Sequence, residues 1–381
     1  MKCKEAFRNF LGAFSDGAVL FPLLALLSMK AGFSGPVILF TTGLTYVVSA
    51  YLFKVPMAVQ PLKSIAIAAV TAGASFAEVR ISGMLLGFYC LFMCFLNVDQ
   101  IAKKVPSSLI HELQAGLGVL LILQGAKAFG GWEALTTHAL VIAVFGGVLF
   151  MLFLPEIRGI PILGLLATVG LAIAVFSPQL IPVGASIQAH QQTGFEGMRL
   201  NLILGLLIPQ IILTSANSVL ATKDVCARYF GEKASRVTVR RLLYSIGIGN
   251  LIVGILGGMP FCHGSDGVTA HVRGGSKSPW STATMGFALL FLAAIQFVKG
   301  AQVLIYPAIL VSILLMTTGL FHLKLATPTL RTEFGPVKIV GALLITAITS
   351  NLLWVLGFGV LLELALKAIH PKALTISEVK S

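Results

Sequence analysis

Four groups of residues in this chain could do chemistry. The first lies in Val55-Pro56-Met57-Ala58-Val59-Gln60-Pro61-Leu62-Lys63-Ser64-Ile65, where two prolines, a glutamine and a lysine interrupt an apolar run. Each proline lacks a backbone donor and pushes the residue before it to extended geometry. Leu62 to Val70 is helix-forming, and Pro61 is well placed to open it. The spacing predicts an extended segment ending at the N-terminus of a half-helix, which carries backbone N–H groups and a partial positive charge. Lys63 in that first turn is disfavoured by the dipole, so an anion is expected beside it. The alternative is a Pro-kinked helix whose lysine snorkels to the interface.

The second group follows Gly257-Gly258-Met259-Pro260-Phe261-Cys262-His263-Gly264 and includes Ser265 and Asp266. Glycines let backbone approach a ligand closely, and His263 could donate to an oxyanion or relay a proton. The third is Asp16, next to Ser15 in the first apolar run. It could accept a proton, ligate a cation, pair with Lys63 or cap a helix. The fourth is Gln210, Thr214 and Asn217, at i, i+4 and i+7 on one helical face. They suit an oxyanion, or polar contacts between helices. Cys90 and Cys94 share a face without His or acidic company, so no metal site is expected, nor any cofactor. Cys262, His263 and Asp266 are too close in sequence to converge as a catalytic triad, and no catalytic residues are assigned. His138, His271 and His370 lie near expected span ends and read as interfacial.

These groups need a membrane to position them. The 381 residues are 57% hydrophobic and 11% charged, where soluble domains carry about 25% charged residues. The net charge of +13 sits in short segments between apolar runs, which is the positive-inside pattern rather than a nucleic-acid face. The apolar first run has no cleavage site and reads as a retained helix. Fourteen elements are expected, among them a sixth span near 135–154, an eighth near 198–222 and others near 281–298 and 301–319. With the N-terminus in the cytoplasm, the basic loops at Lys103/Lys104, Arg158, Lys223 to Arg241 and Lys324/Arg331 all face the same side.

Each half has two spans, a Pro- and Gly-broken third element, then four more. Seven is odd, so the second copy enters from the opposite side. The expected fold is an all-α polytopic membrane protein with a 7+7 inverted repeat, broken at the third and tenth elements. Residues 1–177 form the first repeat, 178–197 an external linker, 198–370 the second repeat and 371–381 a cytoplasmic tail. Paired Gly/Pro-interrupted segments in two halves point to a transporter binding site. Two half-helix N-termini facing each other would suit an anion.

The run from Pro56 to Ala66 and the run from Gly257 to Gly264 resemble the two signature motifs of the molybdate transporter family, P-x-x-V-Q-P-M-K-x-I-A and G-x-x-P-x-C-H-G-A-G-G-L-A. That family is a branch of the sulfate permease superfamily lacking its C-terminal regulatory domain. Ser15-Asp16 to Leu23 and Pro209-Gln210 to Thr222 are similar to further family segments. Two departures stand out: Ser265-Asp266-Gly267 replaces Ala-Gly-Gly, and Ser15-Asp16-Gly17-Ala18 replaces Gly-Asp-Leu-Gly. The first puts a carboxylate near the expected pocket, to be protonated, paired with Lys63 or turned away.

The resemblance implies a core of elements 1–4 and 8–11 moving against a gate of elements 5–7 and 12–14. Substrate would sit between the third and tenth elements. It implies Gln60, Lys63, Ser64, His263 and Gly264 as substrate-binding residues; Thr214, Asn217 and Ser265 join them, with Asp16 and Asp266 as coupling candidates. The expected function is secondary active transport of a tetrahedral oxyanion, molybdate before sulfate or tungstate, with proton coupling. The alternative is a proton symporter for a nucleobase or an aromatic carboxylate on the same fold. The expected setting is a bacterial cytoplasmic membrane, multi-pass with both termini cytoplasmic, as a homodimer, with the lipid bilayer and a small oxyanion as partners and no nucleic acid.

Overall fold

The computed structural model describes residues 9–10, 12–96, 105–129, 146, 159–181 and 197–369. Lys103/Lys104, His138, the sixth expected span, Arg158, linker residues 182–196, His370 and the tail lie outside the described residues. The sixth of the fourteen expected elements therefore falls outside them.

In the first half, a 3₁₀ turn (Phe14–Asp16) leads into α1 (Gly17–Lys30), followed by α2 (Gly35–Phe53). The two-residue strand β1 (Gln60–Pro61) precedes α3 (Lys63–Ala72), and α4 (Phe76–Met93), α5 (Ser107–Phe129) and α6 (Gly159–Phe176) follow. In the second half, α7 (Leu200–Leu213) runs through a widened π-helical stretch (Thr214–Ala221) into α8 (Thr222–Phe230), and α9 (Val239–Leu256) follows. Strand β2 (Phe261–Cys262) precedes α10 (Ser265–Arg273), then come α11 (Pro279–Val298), α12 (Ala308–Ala326), α13 (Gly335–Thr349) and α14 (Leu352–Ile369). Among the described residues, eight helical stretches are long and apolar enough to cross a membrane. The chain is an all-α polytopic membrane protein.

Local signals set the helix starts. Ser75 and Glu78 form a reciprocal capping box at α4. Pro36 and Pro279 occupy first-turn positions of α2 and α11, where a missing N–H costs nothing. Two expected boundaries move. The span read near 301–319 begins at Ala308, because Pro307 holds extended backbone and Gly300 lies in the left-handed region. The eighth span continues helically to Phe230, so Lys223 and Arg228 lie on a helix rather than in a loop.

The packing obeys the expected symmetry. Helix α2 packs on α11, α4 on α9, and α5 on α12. Exchanging the two halves converts the first pair into the second and the third into itself. Each crossing is made at glycines. A Cβ on Gly43 would lie 2.8 Å from the Gly286 carbonyl oxygen, on Gly87 2.9 Å from that of Gly247, and on Gly118 2.7 Å from that of Gly319. Small residues at such crossings replace the hydrophobic drive that lipid cannot supply. Helices α5, α12, α13 and α14 form one packed group, and α6 bridges from α12 to α1.

Candidate functional site

The two broken elements meet. Strands β1 and β2 pair antiparallel, with Gln60 opposite Cys262 and Pro61 opposite Phe261. Leu62 N–H donates to Pro260 O at 3.0 Å, and Asn250 brackets Phe261 by accepting from its N–H and donating to its carbonyl, both at 2.8 Å. These bonds satisfy backbone that Pro56 and Pro61 exclude from a helix, which in a membrane interior is obligatory. The result aims α3 and α10 at a common point.

At that point Lys63 Nζ pairs with Asp266 Oδ2. The anion expected beside Lys63 is thus a residue of the opposing half-helix. The N-terminus of α3 is not open: Gln210 Oε1 accepts from Ser64 N–H at 3.0 Å and Ile65 N–H at 3.4 Å. Gln210 Nε2 in turn donates to Thr214 Oγ1 at 3.0 Å. The expectation of free N–H groups there is corrected, because a side-chain amide from α7 caps them. The widened helix at Thr214–Ala221 then carries Asn217 out of the straight i, i+4, i+7 line, and Asn217 Oδ1 accepts instead from Ser265 Oγ at 2.5 Å.

Asp16 does not pair with Lys63. It accepts from Tyr46 OH at 2.7 Å and from Gln60 Nε2. His271 Nε2 lies 4.0 Å from Asp16, while His271 Nδ1 donates to Gly12 O at 3.0 Å. His271 is fully buried rather than interfacial, because α10 lies against the 3₁₀ turn of the first element. Gly264 is where the cluster closes up: a Cβ there would meet Gln60 Oε1 at 2.3 Å and Asp266 Oδ1 at 2.6 Å. Both oxygens are buried with no hydrogen-bond partner among the described residues, as is Ser64 Oγ.

His263 is turned away from this cluster. Its Nδ1–H donates to Ala58 O and its Nε2 accepts from Ser245 Oγ, each at 2.8 Å. Its ring lies edge-on to Phe53 and Phe261, and its carbonyl accepts from Thr222. With both nitrogens taken, it ties the two broken elements together.

A cavity of about 720 Å³ opens beside the cluster. One wall carries Asp16, Gln60, Asn217, Ser265 and Asp266, and the other carries His111, Gln114, Thr317 and His322 from α5 and α12. Lys63, Ser64, Thr214, His263 and Gly264 are not among its lining residues. Lys63 reaches it through Asp266. The cavity extends to Arg273 and Lys324.

Sequence reading missed Tyr46, Gln114, Thr317 and His322. The signal was present, since Gln114 and Thr317 interrupt apolar runs, and intramembrane polar residues mark functional positions by default. It also missed a second ionisable cluster away from the cavity. Lys338 on α13 pairs with Glu363 on α14, Ser108 hydrogen-bonds both, and Glu112 lies fully buried one turn beyond Ser108.

Comparison with known proteins identifies the family and the fold. A sequence profile described as "Molybdate transporter of MFS superfamily" matches residues 8–121 and 202–323. Molybdate transporter 2 of Arabidopsis thaliana is 24% identical over 93% of this chain and 86% of its own length. Molybdate transporter 1 of Chlamydomonas reinhardtii is 30% identical over 30% of this chain and 23% of its own. Among solved structures, murine Slc26a9 in its inward-facing state superposes with a TM-score of 0.62 at 14% identity, covering 95% of this chain and 68% of that one. The transmembrane domain of the cyanobacterial bicarbonate transporter BicA gives 0.59 at 14% identity, covering 90% and 96%. The fold is therefore the one these two solved structures have. By its sequence, the chain belongs to the molybdate transporter family.

Proposed function

We propose that this protein is a secondary active transporter of a tetrahedral oxyanion, with molybdate its first substrate and sulfate or tungstate next, working by alternating access. Its family and fold are those of membrane transporters of anions rather than enzymes. The observation that carries the oxyanion reading is Lys63, a buried ammonium in the first turn of a half-helix, held by Asp266 beside a cavity. A buried charge needs a partner. Asp266 fills that place, and an arriving oxyanion takes it over.

Displacement leaves Asp266 as a cavity-facing carboxylate without its cation, and a proton neutralises it. Oxyanion entry and proton entry are then linked, with Asp266 and the Asp16–His271 pair as the coupling groups. The gate of α5, α6 and α12–α14 moves against the remaining core. The cavity reaches Arg273 and Lys324, which the positive-inside pattern assigns to the cytoplasm, so this conformation is inward-open. Both termini then lie in the cytoplasm of a bacterial inner membrane, with a homodimer as the assembly.

The test is calorimetry of molybdate binding to the purified protein, with sulfate and uracil as competitors. Binding that uracil does not displace and that Lys63→Ala abolishes is the expected result. Heat from uracil or an aromatic carboxylate in place of any oxyanion would move the assignment to a proton symporter of those compounds.

A further inference from the structure

The cavity wall facing Asp266 is polar, and its polar groups are arranged. Gln114 on α5, with Thr317 and His322 on α12, are at most 4% exposed and line the cavity. His322 Nδ1–H donates to Gln114 Oε1. That bond occupies the acceptor end of the amide and leaves its N–H₂ end, with two donors, for the cavity. Thr317 Oγ1 is buried with no hydrogen-bond partner among the described residues, a costly state for a hydroxyl unless something else binds there. All three residues sit within one turn or so of the Gly118–Gly319 crossing, where backbone touches backbone, so their spacing is fixed. His322 is also within electrostatic reach of Lys63 and Asp266, so the two walls face one space.

We propose that Gln114 and Thr317 form a gate-side subsite that donates hydrogen bonds to an oxyanion whose other oxygens face Lys63, with His322 as the residue that positions the Gln114 amide. The inference rests on the oxyanion reading above. A fully deprotonated oxyanion such as molybdate is an acceptor at every oxygen, so donors on both walls match it.

The experiment is calorimetric titration of the purified full chain with molybdate. Gln114→Ala and Thr317→Val should each raise Kd about tenfold, as loss of a hydrogen bond to a charged group does. Gln114→Glu should raise it further, because an acceptor then faces an acceptor. His322→Ala should match Gln114→Ala and add nothing in the double variant, while His322→Asn, which keeps a donor at the same place, should restore affinity. Unchanged thermal unfolding midpoints exclude a general packing defect. Wild-type Kd in both Gln114→Ala and Thr317→Val, with binding still lost in Lys63→Ala, would overturn the subsite and leave the oxyanion reading standing. Absence of any oxyanion binding to the wild type would overturn both.

Discussion

Lys63 and Asp266, about two hundred residues apart in the chain, neutralise each other where the two broken elements meet. Lys63 is buried, whereas the Asp266 side chain is 32% exposed and faces the cavity. Asp266→Asn frees the ammonium of its internal competitor. Molybdate affinity should rise at least tenfold, while the unfolding midpoint falls, because the buried Lys63 ammonium loses its partner. Calorimetry and thermal unfolding on the same preparation check both effects.

Wild-type affinity should fall as pH rises. Release of Lys63 requires a proton on Asp266, and that proton is less available in alkali. In Asp266→Asn the slope should vanish; a slope equal to that of the wild type would remove Asp266 from the coupling.

Asp16 supplies a separate test. It is buried, accepts from Tyr46 and Gln60, and stands 4.0 Å from His271. At saturating molybdate, where affinity no longer limits the rate, uptake into vesicles should lose its pH dependence in Asp16→Asn. Tyr46→Phe removes one donor to the same carboxylate and should shift that dependence without abolishing it.

Gln210 is expected to matter through backbone rather than substrate. Gln210→Leu strips the acceptor from Ser64 and Ile65 N–H and should cost about 1–3 kcal/mol, the penalty for a buried donor left unpaired. Gln210→Glu keeps an acceptor and should retain most of the stability, as chemical denaturation in detergent would show.

In the gate, Lys338→Met should destabilise by about 3–5 kcal/mol, since Glu363 is left charged and buried. The double change Lys338→Met with Glu363→Leu should recover most of that loss. Because neither Lys338 nor Glu363 lines the cavity, oxyanion affinity should be unchanged in the double variant.

The parts of this architecture that chain-local chemistry dictates were legible in the sequence. Single prolines do not break a membrane helix here, since Pro22 and Pro209 lie inside α1 and α7; it is the close pair Pro56 and Pro61, and Pro260 after two glycines, that marked the broken elements, and the count between them implied inversion. Lys63 demanded an anion, although the sequence left Asp16 and Asp266 both open. What stayed hidden depends on distant partners. His263 has the chemistry of a ligand, and only the positions of Ala58 and Ser245 show that both its nitrogens are occupied. Gln210 looked like one of three residues on a regular face until the widened turn after it separated Asn217 from the rest. Gln114 and His322 are 208 positions apart, and neither alone suggests a fixed amide.

The strand pair also has a consequence for biosynthesis. The backbone around Gln60 and Leu62 is completed by residues 260–262, which a ribosome adds roughly 10–40 s later at ordinary elongation rates. Through that interval the third element cannot rest in lipid as a finished span, because its unpaired peptide groups have no partner there. The N-terminal half must therefore wait at the insertion machinery or the interface until the tenth element emerges. Membrane integration of the two halves is then a single late event, and a chain truncated before β2 would be a substrate for quality-control proteolysis rather than a half-transporter.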